Sequence, residues 1–180
     1  MSDTTAVVAV YDSHSAAENA VKELQHSGFD MKKLSVVGRD YHTEEQVVGF
    51  YNAGERIKYW GKMGAFWGGL FGLLFGAALF WVPAVGPVLV AGPLGAWIVA
   101  GLEGAVAVGG LSAIGAGLYS LGIPKNSVLK YETAIKADKF LLAVHGTAAE
   151  GAKAKDILSA TRPAELNAHT LQPAVQAANA

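Results

Sequence analysis

The chain has no cysteine, so disulfides and thiolate metal sites are excluded. Its net charge of −1 carries no basic bias toward nucleic acid, and no nucleic-acid partner is expected. The start, Met1-Ser2-Asp3-Thr4-Thr5, lacks the basic region and apolar run of a secretory leader, so the chain is expected to begin in the cytoplasm. The largest lack is local: from Met63 to Pro124 the only charged residue is Glu103. No Ser–His–Asp or paired-carboxylate arrangement stands out. No enzyme activity, cofactor, catalytic residue or metal ligand set is expected.

The uncharged stretch is rich in glycine, and prolines divide it. Pro83, Pro87 and Pro93 remove backbone donors and disfavour helix just before them. The pattern predicts one helix over about 61–82, a turn region at 83–93 and a second helix over about 94–121, together a hydrophobic helical hairpin at 59–122. In the first helix Gly64, Gly68, Gly72 and Gly76 recur every fourth residue; in the second, Gly101, Ala105, Gly109, Ala113 and Gly117 do the same. Positions four apart share a helix face, so each helix carries a smooth ridge. Such ridges let backbones approach closely in lipid. In water, each glycine costs roughly 1 kcal/mol relative to alanine.

The aromatics agree with a bilayer. Trp60 to Trp81 spans roughly 31 Å of helix and Trp97 to Tyr119 roughly 33 Å, at about 1.5 Å per residue. Both match a hydrocarbon core of about 30 Å, with Trp and Tyr at the interfaces. Glu103 then lies roughly 9 Å inside the Trp97 interface. A carboxylate there calls for a polar partner, such as Ser112 or Ser120 of another subunit, a backbone carbonyl freed near Pro93 or a lipid headgroup, or for a task in ion or proton movement. Against a plain hairpin, the 83–93 turn has no charge and makes a poor aqueous loop.

The flanks read as a folded domain. Ala6–Tyr11 is a buried strand. Ser15-x-x-Glu18 is a capping box opening a helix that Gly28 ends. Leu34–Gly38 is a second strand, 39–45 a turn and Gln46–Tyr51 a third strand. After the hairpin, Val128, Tyr131 and Ile135 form a helical stripe, Phe140–Val144 a strand, and Thr147-x-x-Glu150 caps a helix with Ala154, Ile157 and Leu158 inward. The result is an α+β chain: a ferredoxin-like βαββαβ domain in two halves, 1–58 and 123–162, with the helical hairpin inserted between them and one extra helix. Residues 163–180 have the composition of a flexible tail. Both halves share one sheet, so an inserted hairpin crosses a membrane an even number of times. Arg56, Lys58 and Lys62 before it, and Lys125 and Lys130 after it, put that side in the cytoplasm.

Two histidine positions merit weighing. His42 with Glu44 and Glu45 matches no metal-site spacing. His145 stands at the end of a strand where a helix begins, a place that can hold an anion.

Three segments together resemble the bacterial heat-induced general-stress protein family (the general stress protein 17M-like domain). They are GFD at 28–30 with KLSVVGRDYH at 33–42, GGLFGLLFGAALFWVP at 68–83, and GIPKNSVLKYE at 122–132 with KADKFLLAVHG at 136–146. The resemblance spans roughly residues 5–160. It implies a stress-induced bacterial protein, often described as a membrane protein, and supplies no catalytic residues. The reading is an inner-membrane stress protein with a cytoplasmic oligomerising or sensing domain, its partners a lipid bilayer and further copies of itself through the glycine ridges. The alternatives are a water-soluble cytoplasmic assembly with the hairpins buried inside, and a small channel or carrier using Glu103.

Overall fold

The computed structural model describes residues 4–39, 77–82 (backbone), 86–99 and 112–171. In chain order these form β1 (Thr4–Tyr11), α1 (His14–His26), a 3-10 turn (Met31–Lys33), β2 (Leu34–Arg39), β3 (Ala77–Val82) and β4 (Gly86–Ala91). There follow α2 (helical over 94–99), α3 (Ala113–Ser120), α4 (Lys125–Lys136), β5 (Phe140–Thr147), α5 (Ala148–Ala160) and β6 (Glu165–Leu171). The class is α+β. The strands make one sheet in the order β3-β4-β2-β5-β1-β6, each neighbouring pair antiparallel.

Helices cover both faces of this sheet. Val7, Ala9 and Tyr11 of β1 point to the face where α1 and α5 pack, with Leu34, Val36, Leu142 and Val144 beside them. Ala6, Val8 and Val10 point to the other face, under α2, α3 and α4. Both sets are buried. A strand buried on both sides has no polar face to show, which is why Ala6–Tyr11 reads as a continuous apolar run.

The helix ends follow local chemistry. Ser13, not Ser15, caps α1, its hydroxyl accepting from the Ala16 amide at 3.2 Å. Gly28, at φ +68°, ends α1 with the Phe29 amide donating to the Leu24 carbonyl. At α5 both halves of the capping box form between Thr147 and Glu150. Asp138 ends α4 in the left-handed region that glycine usually takes, at φ 61°. Its carboxylate accepts from Arg39 Nη1 at 2.6 Å, which ties that turn to the end of β2.

Several expectations from the sequence do not hold. Residues 77–82, assigned to the first helix of a hairpin, are strand β3, and 86–91, assigned to its turn, are strand β4. The run from 94 to 121 is not one helix: Ser112 has extended backbone (φ −68°, ψ 169°) and caps α3. A short apolar run between prolines has no periodicity that separates a buried strand from a buried helix, and here the unpaired edge of β2 decided for strand. β4 pairs with β2 in the register Val36↔Ala91 to Arg39↔Val88.

The burial follows the same logic. Val88, Val90, Leu94, Ile98, Ile114 and Leu118 are covered by this chain's own core. No helix among the described residues is long and apolar enough to cross a membrane. The expected tail also contains structure: β6 pairs with β1 from Thr4↔Leu171 to Val10↔Glu165. α5 is therefore the connection from β5 to β6 and not an extra helix. The expected strand at 46–51 lies outside the described residues.

Candidate functional site

One row of side chains on the α2–α4 face brings two histidines together, each with an aromatic partner. Ala6 of β1 lies opposite His145 of β5 on one side and His169 of β6 on the other. At the strand spacing of about 4.8 Å, the two histidine Cα atoms are roughly 10 Å apart. Each ring has its own aromatic partner. Trp97 of α2 meets His145 edge to face with centroids 4.3 Å apart. Tyr131 of α4 hydrogen-bonds His169 Nε2 through its hydroxyl at 2.8 Å.

Burial sets the ionisation here. Desolvation lowers the pKa of His145, and the Lys33 ammonium lowers it further. A backbone hydrogen bond with Lys33 and the charges of Glu150 and Asp30 oppose that shift. Desolvation also lowers His169. It pushes the Tyr131 phenol up to about 12, against the effect of its hydrogen bond with Asn167. Below the row, Lys33 Nζ lies 2.5 Å from Glu150 Oε1, while Glu150 Oε2 accepts from the Thr147 amide at 2.9 Å. These contacts, Lys33 foremost, hold the Glu150 carboxyl down to about 2.

The pH dependence follows with a definite sign. Both histidines have folded pKa values below 6.5, so the unfolded chain binds protons first. Their contribution to stability is complete above pH 6.5 and is lost as pH falls through the lowered folded values. Glu150 adds a second loss as pH falls below 4.5 toward about 2. The urea midpoint is expected to decline from pH 7 to pH 5, and His145→Gln with His169→Gln to flatten that decline. A midpoint in the unsubstituted chain that is constant over this window would contradict the assignment.

The structure separates the residues that the sequence singled out. Trp97, expected at a membrane interface, packs on His145. Tyr119 is 40% exposed on α3. Trp81 lies on β3, opposite Pro87. Gly117 does mark a close helix approach, but within this chain: an added Cβ would lie 2.5 Å from Ile98 Cγ1 of α2. Ala113 packs against the same core. Ser112 bonds Glu132 of α4, and the Ser120 hydroxyl donates to the Gly117 carbonyl at 2.7 Å, so the two serines expected as partners of Glu103 are engaged inside the fold. Glu103 itself lies outside the described residues, as do Trp60, Gly64, Gly68, Gly72, Gly76, Gly101, Ala105 and Gly109, and the His42 group.

The Tyr131–His169 pair was not foreseen from the sequence. Its signal was the alternation of Leu166 and Ala168 with polar neighbours, a strand period inside an apparent tail. Among the described residues no group of three or more His, Asp or Glu side chains has metal-binding geometry.

Comparison with known proteins gives one match. The model of the heat induced stress protein YflT domain matches residues 6–79, which include β1, α1 and β2. The 122–146 segment that also carried the resemblance lies beyond it. No curated protein and no solved structure matches the chain. Through residues 6–79 the chain matches a general stress protein family, that of the heat induced stress protein YflT domain.

Proposed function

We propose that this general-stress protein works by binding and self-association, not by catalysis, on a ferredoxin-like frame. The observation that carries this reading is the use made of the reactive side chains. His145 is packed on Trp97, His169 is bonded to Tyr131, and Glu150 is held by Lys33 and Thr147. Groups committed to such contacts hold elements together. The frame is supported by the order β6-β1-β5-β2, with α1 and α5 as the two crossovers on one face, which is the split βαβ arrangement. β3 and β4 then extend it beyond β2.

For self-association the reading looks to the glycines and alanine spaced four apart at 64–76 and 101–109, a sequence pattern that lets backbones approach closely wherever it is helical. The purified full chain is expected to sediment as a homo-oligomer, more so after heat treatment, and Gly72→Leu and Gly109→Leu are expected to reduce its mass. A monomer at all concentrations, with and without detergent and heat, would remove self-association from the reading.

A further inference from the structure

The two outer layers differ in charge. On the α1 and α5 side the exposed charges alternate in sign. Glu18 pairs with Lys22 at 2.6 Å, Glu23 follows, and Lys153 and Lys155 stand beside Asp156. On the opposite side, α2 and α3 carry no charge, and α4 shows only one sign outward. Val128, Tyr131 and Ile135 bury the inner face of α4. Lys125, Lys136, Leu129, Thr133, Asn126 and Lys130 share the exposed arc, in that order around the helix at about 100° per residue. The one carboxylate of α4, Glu132, turns inward to Ser112. None of the three lysines has an ion-pair partner among the described residues.

Apolar exposure falls on the same side. The exposed large hydrophobic side chains among the described residues are Val99, Tyr119 and Leu129, all in the α2–α4 layer. Leu129 lies on the arc between lysines. Tyr119 is one turn beyond Gly115, where α3 meets Val128 and Glu132 of α4.

We propose that the outer face of α4 is a docking surface for an anionic lipid bilayer, lying on the membrane and not crossing it. It names a partner for the binding reading above and rests on it. The lysines meet the negative headgroups, and Leu129 enters the boundary between headgroups and acyl chains. Ammonium groups on one helix face with an apolar residue among them fit such a surface.

The test is cosedimentation of the full chain with vesicles of phosphatidylserine in phosphatidylcholine, and with phosphatidylcholine alone. The expected result is binding to the anionic vesicles only, weakened by 0.5 M salt, where the screening length shrinks to a few Å. Lys125→Gln, Lys130→Gln and Lys136→Gln together are expected to lower the partition coefficient roughly a hundredfold, at about fivefold per lysine. Leu129→Ser is expected to lower it several-fold, and Lys153→Gln with Lys155→Gln on the opposite layer to leave it unchanged. Equal binding to neutral vesicles, no effect of the triple substitution or no binding at all would overturn the proposal. So would lysine-dependent binding of duplex DNA that equals vesicle binding and ignores Leu129→Ser, since that pattern describes a polyanion site. The oligomer mass of the same variants keeps the two readings apart: a triple variant that stays assembled but leaves the vesicles affects docking alone.

Discussion

A chain ended after Arg162 is expected to lose its cooperative fold and to aggregate. The cut removes β6, whose register with β1 runs from Thr4↔Leu171 to Val10↔Glu165, and with it the Ala164 amide bond to the Val10 carbonyl at 2.8 Å. β1 is then left with an unpaired row of backbone groups on its most apolar stretch, Ala6–Tyr11. A long hydrophobic edge of this kind is a template for pairing with other chains. The cut also removes Leu166 from the α1–α5 core and His169 from Tyr131. The combined loss is on the order of 5 kcal/mol, comparable with the whole stability of an ordinary domain. A chain ended after Leu171 is the control. Chemical denaturation with size-exclusion chromatography decides: equal urea midpoints for the two truncations would mean that β6 adds nothing to the sheet.

The second large effect is expected at Gly92. This residue turns the chain from β4 into α2 at φ +96°, and a Cβ there would fall on the Leu34 carbonyl oxygen and within 2.9 Å of Ser35 Cα. Both obstacles are backbone of β2, a strand inside the sheet, so neither can move aside. The corner is fixed a second time by Ser35, whose buried hydroxyl accepts from the Leu94 amide at 2.9 Å. Gly92→Ala is expected to cost about 4 kcal/mol, at the high end for a single substitution. Gly28→Ala supplies the comparison. Its φ is +68°, but nothing lies within 4 Å of the added Cβ, so it bears only the conformational penalty of about 1 kcal/mol. Equal urea midpoints for the two variants would mean that α2 does not sit where the structure puts it.

The difference between these two glycines shows where reading the sequence stops. Gly28 is legible because a helix stripe ends just before it. Gly92 lies between prolines in a glycine-rich run, and nothing local says that another strand's carbonyl occupies its Cβ position. The same division runs through the site. Thr147 and Glu150 form a capping box that spacing alone predicts, whereas His145, expected to end its strand, lies inside β5, which runs on to Thr147. That Lys33 pairs with Glu150, 117 residues away, depends on the path of the chain.

By itself the sequence determined the local elements whose signals are local. The buried run of β1, the stripe and glycine stop of α1, β2, the inward face of α4, β5 and the cap of α5 all follow from period, capping and turn chemistry. It also determined that residues 63–124 are apolar and nearly uncharged, but not what such a stretch packs against. Lipid and a protein core make the same demand on composition. Only the tertiary structure decided between them for 86–99 and 112–122, because β2 had a free edge to pair with β4 and the α2–α4 face of the sheet had to be covered. It likewise made 165–171 a strand: its polar residues form no core of their own, but β1 supplies the backbone partners that turn an unremarkable tail into the edge of the sheet.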